Sequence, residues 1–289
     1  MESALILCRL VQFASAMLLW GAGSLRAGAF PHALLRASIP AAAKYGRLAA
    51  AANLLAAVGW LAAEAALAGD GPQDAVNPDV LFALLTVSRF GHVWLVHLVL
   101  AAALFLATFG DHPKWLAILA GLNLASLALT GHAVLPAGGL GILHQGLSVL
   151  HLLVAGFWVG GLAVILPFLA AQSLAAEATP VLRSFSRWGH LAVALVFATG
   201  LAKSVLILTL RGSFNPASEY LTLLGLKVAV VVLMLGLALV NRYRFVPQLV
   251  TNDRALRNLR RGTLAELMLV VVVLVLVSIF ATWSPFADV

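Results

Sequence analysis

Long apolar runs that carry almost no charge constrain this chain more than any other feature. Residues 263–284 hold one ionisable carboxylate, Glu266, and residues 143–171 hold no charged side chain, only two histidines. Inside a bilayer every backbone N–H and C=O must be satisfied within its own segment, so each such run folds as a transmembrane helix. A hydrocarbon core of ~30 Å takes about 20 helical residues. By that measure eight spans are expected, at 4–28, 46–68, 89–109, 114–131, 143–171, 185–209, 219–243 and 263–284. Composition agrees: 62% of residues are hydrophobic and 10% charged, against about 45–50% and 25% in soluble chains. A soluble domain, disorder, collagen, a coiled coil and a disulfide scaffold are thereby excluded. The expected fold is all-α, a polytopic membrane bundle forming one transmembrane domain over 1–289. The first run is read as a retained span, because it carries Glu2 in place of a basic start and lacks a small-residue cleavage site before Arg26.

Lys and Arg placement sets the expected orientation. The connections 1–2, 3–4, 5–6 and 7–8 hold 13 basic residues, from Arg26 to the run Arg254, Arg257, Arg260 and Arg261, whereas the opposite side holds only Arg89 and Arg211. Both termini are therefore expected outside, with the basic loops in the cytoplasm. The same loops account for the net charge of +7 without a nucleic-acid partner. Of the outer connections, 69–88 carries Asp70, Asp74 and Asp79, and 131–141 is uncharged and glycine-rich, suiting a re-entrant turn. A short echo relates Ser88-Arg89-Phe90-Gly91-His92-Val93 to Ser186-Arg187-Trp188-Gly189-His190-Leu191, offset by three spans as an inverted repeat would be.

Eight histidines in so apolar a chain carry the functional information. His32, His112 and His190 map to the cytoplasmic side. His92, His97, His132, His144 and His151 map to the outer half. Helical rise places His92, His132 and His144 at the outer ends of spans 3, 4 and 5, with His97 about 7 Å below His92 and His151 about 10 Å below His144. Neither His92 with His97 nor His144 with His151 has the i, i+4 spacing that lets one helix grip one ion, so a metal site must be assembled between helices. Ionisable groups within spans are costly and mark pathways or sites. Glu64, Lys203 and Lys227 are the other such groups of the outer half, with Glu64 and one of the lysines expected to pair. Glu266 is expected to bridge to Arg260 and Arg261.

Imidazole suits copper, zinc, iron and nickel. Glu64, Lys227 and Cys8 are accessory candidates, and Cys8, the single cysteine, also fits core packing. The chain holds no GxxxxGK phosphate loop, GxGxxG, HExxH or GxSxG pattern, so neither nucleotide-driven nor hydrolytic chemistry has a candidate constellation, and no enzyme is expected.

Several stretches resemble the copper resistance protein D (CopD) family. They are Thr130-Gly131-His132-Ala133; His151-Leu152-Leu153 with Phe157-Trp158-Val159-Gly160-Gly161-Leu162; Phe185-Ser186-Arg187; Thr199-Gly200-Leu201; Leu223-Leu224-Gly225-Leu226-Lys227 after Tyr220; Asn241-Arg242 with Pro247; and Glu266. The likeness is densest over about 130–284. It implies a multi-pass protein of the bacterial inner membrane that moves or delivers copper, beside a periplasmic copper-binding partner. It bears most directly on His132 and His151, with Lys227 and Glu266 as motif positions. The leading expectation is a copper transporter with an outward histidine site: His92, His132 and His144 capture the ion, and His97 and His151 pass it inward. The alternative is a cytochrome b-like redox protein in which His97 and His151 are the axial ligands of a haem.

Overall fold

The structure, a computed structural model, describes residues 2–29, 39–130, 138–170, 175–211, 219–249 and 253–280. Helix α1 (Glu2–Ser24) runs into a π-helical turn, Leu25–Ala29, and is followed by α2 (Ile39–Ala68). A 3-10 turn (Pro72–Val76) leads to α3 (Pro78–Val87), α4 (Arg89–Ala107) and α5 (Pro113–Ser126), which ends in a 3-10 turn, Leu127–Leu129. Then come α6 (Gly139–Ala170), α7 (Ala175–Arg211) and α8 (Glu219–Val240). A π-helical turn (Asn241–Phe245) and a 3-10 turn (Val246–Gln248) connect α8 to α9 (Asp253–Phe280). The described residues contain no strand.

Seven helical stretches are long and apolar enough to cross a bilayer, from Glu2–Ala27 to Arg254–Ile279. They correspond to seven of the eight expected spans. The other expected span, 114–131, is the shorter apolar helix Pro113–Leu129. Its 14 α-helical residues and the three of the 3-10 turn rise ~27 Å together, shorter than the other seven but near the ~30 Å of the hydrocarbon core. The acidic 69–88 connection holds a 3-10 turn and helix α3. Asn77 caps α3 by accepting from the Asp79 amide at 3.1 Å, with Pro78 in the first turn. The echoed hexapeptides differ in local structure: Ser88 is an N-cap, accepting from the Gly91 amide at 2.8 Å, whereas Ser186 lies within α7.

Burial inverts the soluble pattern. Leu55, Val99, Leu233 and Met268 are exposed on the outside of the bundle, whereas Gln12, Asn53, Asn123 and Glu266 are buried within it. Apolar side chains outside and polar ones inside suit a lipid surround. At the centre, α1 packs against α2, α5, α6 and α9. Its closest approach is to α6, where a Cβ on Gly21 would fall 2.5 Å from the Gly160 backbone. Small residues permit this crossing, and close backbone packing holds helices together where lipid removes the hydrophobic drive. Beside it the Trp20 indole donates to the Leu153 carbonyl at 2.7 Å. Around α1, α2 packs on α4 and α4 on α5; on the other side α7 packs on α6 and α8 on α9. This division decides which histidines can meet.

Candidate metal centre

The half of the bundle built from α1, α2, α4 and α5 encloses a string of polar groups. His97, fully buried on α4, has both ring nitrogens engaged. The Gln12 amide nitrogen meets its Nε2 at 2.6 Å, and its Nδ1 lies 2.7 Å from the Ser126 hydroxyl. Ser126 donates in turn to the Asn123 carbonyl at 2.7 Å. This order assigns the tautomer: Nε2 accepts from Gln12 and Nδ1–H donates to Ser126. Asn53 on α2 extends the string, donating to the Ser15 hydroxyl at 3.1 Å. Trp94 stacks on the His97 ring at 4.6 Å between centroids and donates to the Ala57 carbonyl, which fixes the imidazole plane. The Gln12 and Asn53 amide oxygens, and both amide atoms of Asn123, are buried without a partner. A polar chamber with spare donors and acceptors thus lies inside this half. Next to it Arg9 approaches Glu64 at 3.6 Å and lies over the Trp60 ring, whose indole donates to Glu64 at 3.0 Å.

His92 begins the same helix. It is exposed, with Nε2 2.8 Å from the Thr86 carbonyl at the end of α3. The short helix that sequence reasoning missed therefore positions this imidazole.

The α6 histidines face the other way. His151 Nδ1 lies 2.9 Å from the Thr199 hydroxyl of α7, and His144 Nε2 is buried without a partner. Lys203 of α7 is close enough to both rings to act on them electrostatically, and Lys227 of α8 acts on His151. Two lysines beside this pair oppose a resting cation whenever they are protonated. The pair's surroundings are thus unlike the His97 chamber.

The described residues therefore bring the expected ligands together only in part. His92 and His97 share α4, and His144 and His151 share α6, on different sides of α1. His132 lies outside the described residues. Among the described residues, no three His, Cys, Asp or Glu side chains converge to hold an ion. Two expected pairings change, and Cys8 takes the packing role expected of it. Glu64 meets Arg9 in place of a lysine, because α1 and α2 are direct neighbours. Glu266 accepts from the Asn241 amide, while Arg260 and Arg261 are exposed. Cys8 lies against α2, where a Cβ on Gly59 would come within 2.9 Å of its Sγ, so it packs. The geometry gives no support to a haem between His97 and His151, since the His97 nitrogens are both taken and the two rings point into different helix pairs.

Gln12, Asn53, Asn123 and Ser126 went unnoticed in the sequence. Their only signal was an amide or hydroxyl within an apolar span, and several such residues scattered over the chain carry no pattern until the helices pack.

Known proteins match along nearly the whole chain. Residues 1–142 fit the family model described as copper resistance protein D-like, N-terminal domain, and residues 179–280 fit that of copper resistance protein D. The chain is 32% identical to the inner membrane protein YebZ of Escherichia coli (strain K12), over 97% of this chain and 98% of that one. It is 29% identical to copper resistance protein D of Pseudomonas syringae pv. tomato, over 70% and 71% of the two chains. It is 30% identical to copper transport protein CutJ of Bacillus subtilis (strain 168), over 58% of this chain and 34% of the other. No solved structure matches. The boundary at 142 falls at the start of α6, so one matched stretch supplies the His97 chamber and the other the helices that face His151. With apolar spans, buried polar chamber and both matched stretches in one chain, this protein belongs to the copper resistance protein D family.

Proposed function

We propose that this chain transports or delivers copper across the bacterial inner membrane, with its histidine-rich half facing outward. The names of the E. coli and B. subtilis relatives support the membrane and the cargo. The observation that carries the reading is the polar chamber around His97. Buried amides with unpartnered oxygens, beside an imidazole and hydroxyls, are costly between apolar helices, and a passing cation gives those oxygens a partner. His92 at the mouth and His97 at depth lie on one helix, about 7 Å apart along its axis, so they form successive stations. For copper to bind at His97, the Gln12 amide must turn and release Nε2. His132 and His144 are the further outer ligands of this proposal, and His151 beside Lys203 is a station that a cation leaves readily. Cys8, Glu64 and Lys227 act as packing or charge-setting groups. The role is that of a carrier and requires no bond-changing chemistry. A periplasmic copper-binding protein supplies or receives the ion at the outer face, and lipid surrounds the bundle.

The test is copper binding by the purified protein. His92→Ala and His97→Ala should each lower affinity at least 10-fold, the smaller cost of losing a ligand's support. His112→Ala, outside the chamber, should leave it unchanged. Equal affinity in the parent, His92→Ala and His97→Ala would reject the chamber as the path.

A further inference from the structure

Halfway along α9, far from the histidines of α4, one carboxylate is 2% exposed. Glu266 Oε1 accepts from the Asn241 side-chain amide, and Oε2 has no partner. Among the described residues no cation lies within ion-pair distance of it. The group lines a cavity of about 410 Å³ between the α6–α7 and α8–α9 pairs. The walls are mostly apolar, with Trp158, Val193 and Leu239 among them; Asn241, Thr263, His190 and Arg242 supply the polar part. Gly262 keeps Asn241 in place: a Cβ there would fall 2.7 Å from its side-chain nitrogen. The π-helical turn that begins at Asn241 carries both that amide and Arg242 into the cavity.

A lone buried carboxylate in such walls is stable only if its charge is neutralised. A divalent metal ion would leave net positive charge, next to Arg242 and with one carboxylate to oppose it. A proton neutralises the group completely and needs no further ligand. We propose that Glu266 is a proton-binding site whose carboxyl group takes up and releases one proton through this cavity. The reaction is carboxylate plus proton giving carboxylic acid, with water at the basic end of the bundle as source and sink. In the charged form Asn241 donates to Oε1; in the neutral form the acid proton on Oε2 points to the open cavity. The titratable or charged groups facing Glu266 are His190 of α7, whose Nε2 is itself buried without a partner, and Arg242 of the turn after α8. The α6 wall is apolar there, and the buried cation of α1, Arg9, is held by Glu64. This site goes beyond the copper reading and needs no copper to be tested.

Infrared difference titration of the metal-free protein in lipid vesicles reads the carboxylic-acid C=O stretch directly. The difference between the parent and Glu266→Gln should isolate one such band from those of the other ten Asp and Glu side chains, falling as pH rises and shifting in D2O because the cavity admits water. Glu266→Gln should remove it and Glu266→Asp should restore it at a shifted frequency, with helical circular dichroism retained. Asn241→Ala deletes the donor that favours the charged form, so its band should persist about one pH unit higher. Should Glu266→Gln fail to fold, the Asn241→Ala shift decides. A band unchanged in Glu266→Gln and Asn241→Ala would overturn the proposal. So would the absence of any titrating carboxylic-acid band together with loss of one equivalent of bound copper or zinc in Glu266→Gln, which makes the group a metal ligand. Failure of copper binding alone would touch only the reading of the His97 chamber.

Discussion

Arg9 and Glu64 illustrate how single side chains behave in this bundle. Each is an ionisable group between apolar helices, and each is tolerable because the other lies 3.6 Å away. Removing one partner should be far worse than removing both. Arg9→Met or Glu64→Leu alone should cost roughly 3 kcal/mol, while the double variant should recover most of that loss, since buried pairs are replaceable by apolar groups of similar size. Thermal melts of the four proteins in one detergent check the cycle, and additive losses would mean that the two groups do not interact. At the same scale, outer imidazoles bind metal only when neutral, and an ordinary imidazole titrates near ~6.5. Protons therefore compete as the outside acidifies. Copper affinity measured from neutral to strongly acid pH should fall, and fall further with each participating histidine. Affinity that stays flat over that whole range would assign the binding to carbonyl or thioether groups. The identity of the histidines was legible in the sequence; their partners were not. Gln12 is 85 residues from His97, and no spacing rule joins them.

Among the elements, α1 and α6 depend on each other most closely. Their crossing at Gly21 and Gly160 leaves no room for a side chain. Gly160→Leu should separate the helices and lower the yield of folded protein sharply, whereas Gly146→Leu, where an added Cβ meets nothing within 4 Å, should be close to neutral. Detergent-solubilised yield and monodispersity on a sizing column compare the two; equal yields would show that the crossing tolerates a gap. Ser88 offers a milder contrast. Ser88→Ala removes the cap of α4 and should cost about 1 kcal/mol, with a loss of copper affinity larger than the stability change if His92 needs that helix start. The apolar runs made seven of the helices readable because length and hydropathy are local properties. Helix α3 was missed although Asn77-Pro78-Asp79 spells a cap, a first-turn proline and a first-turn acid. Its ten residues are too few to register as a span.

For the molecule as a whole, the 13 basic residues in the 1–2, 3–4, 5–6 and 7–8 connections predict an orientation that a reporter can check. A C-terminal fusion should be active only when the reporter works outside the cytoplasm, and a tag in the 242–262 connection should be reachable only from within. The reverse pattern would place the histidine half inside and remove the outward capture site. Membership of a membrane class and the number of apolar runs were determined by the sequence alone. These follow from composition and from short-range periodicity, which survive without knowledge of any contact. Only the packed bundle decided that α1 stands at the centre and that the α4 and α6 histidines look into different helix pairs. It also decided that Glu64 meets Arg9, and that Glu266 faces a cavity and not the arginines five and six residues before it in the chain. Contacts of that kind depend on helix order and rotation, and in lipid those are set by close backbone packing and by where buried polar groups find partners.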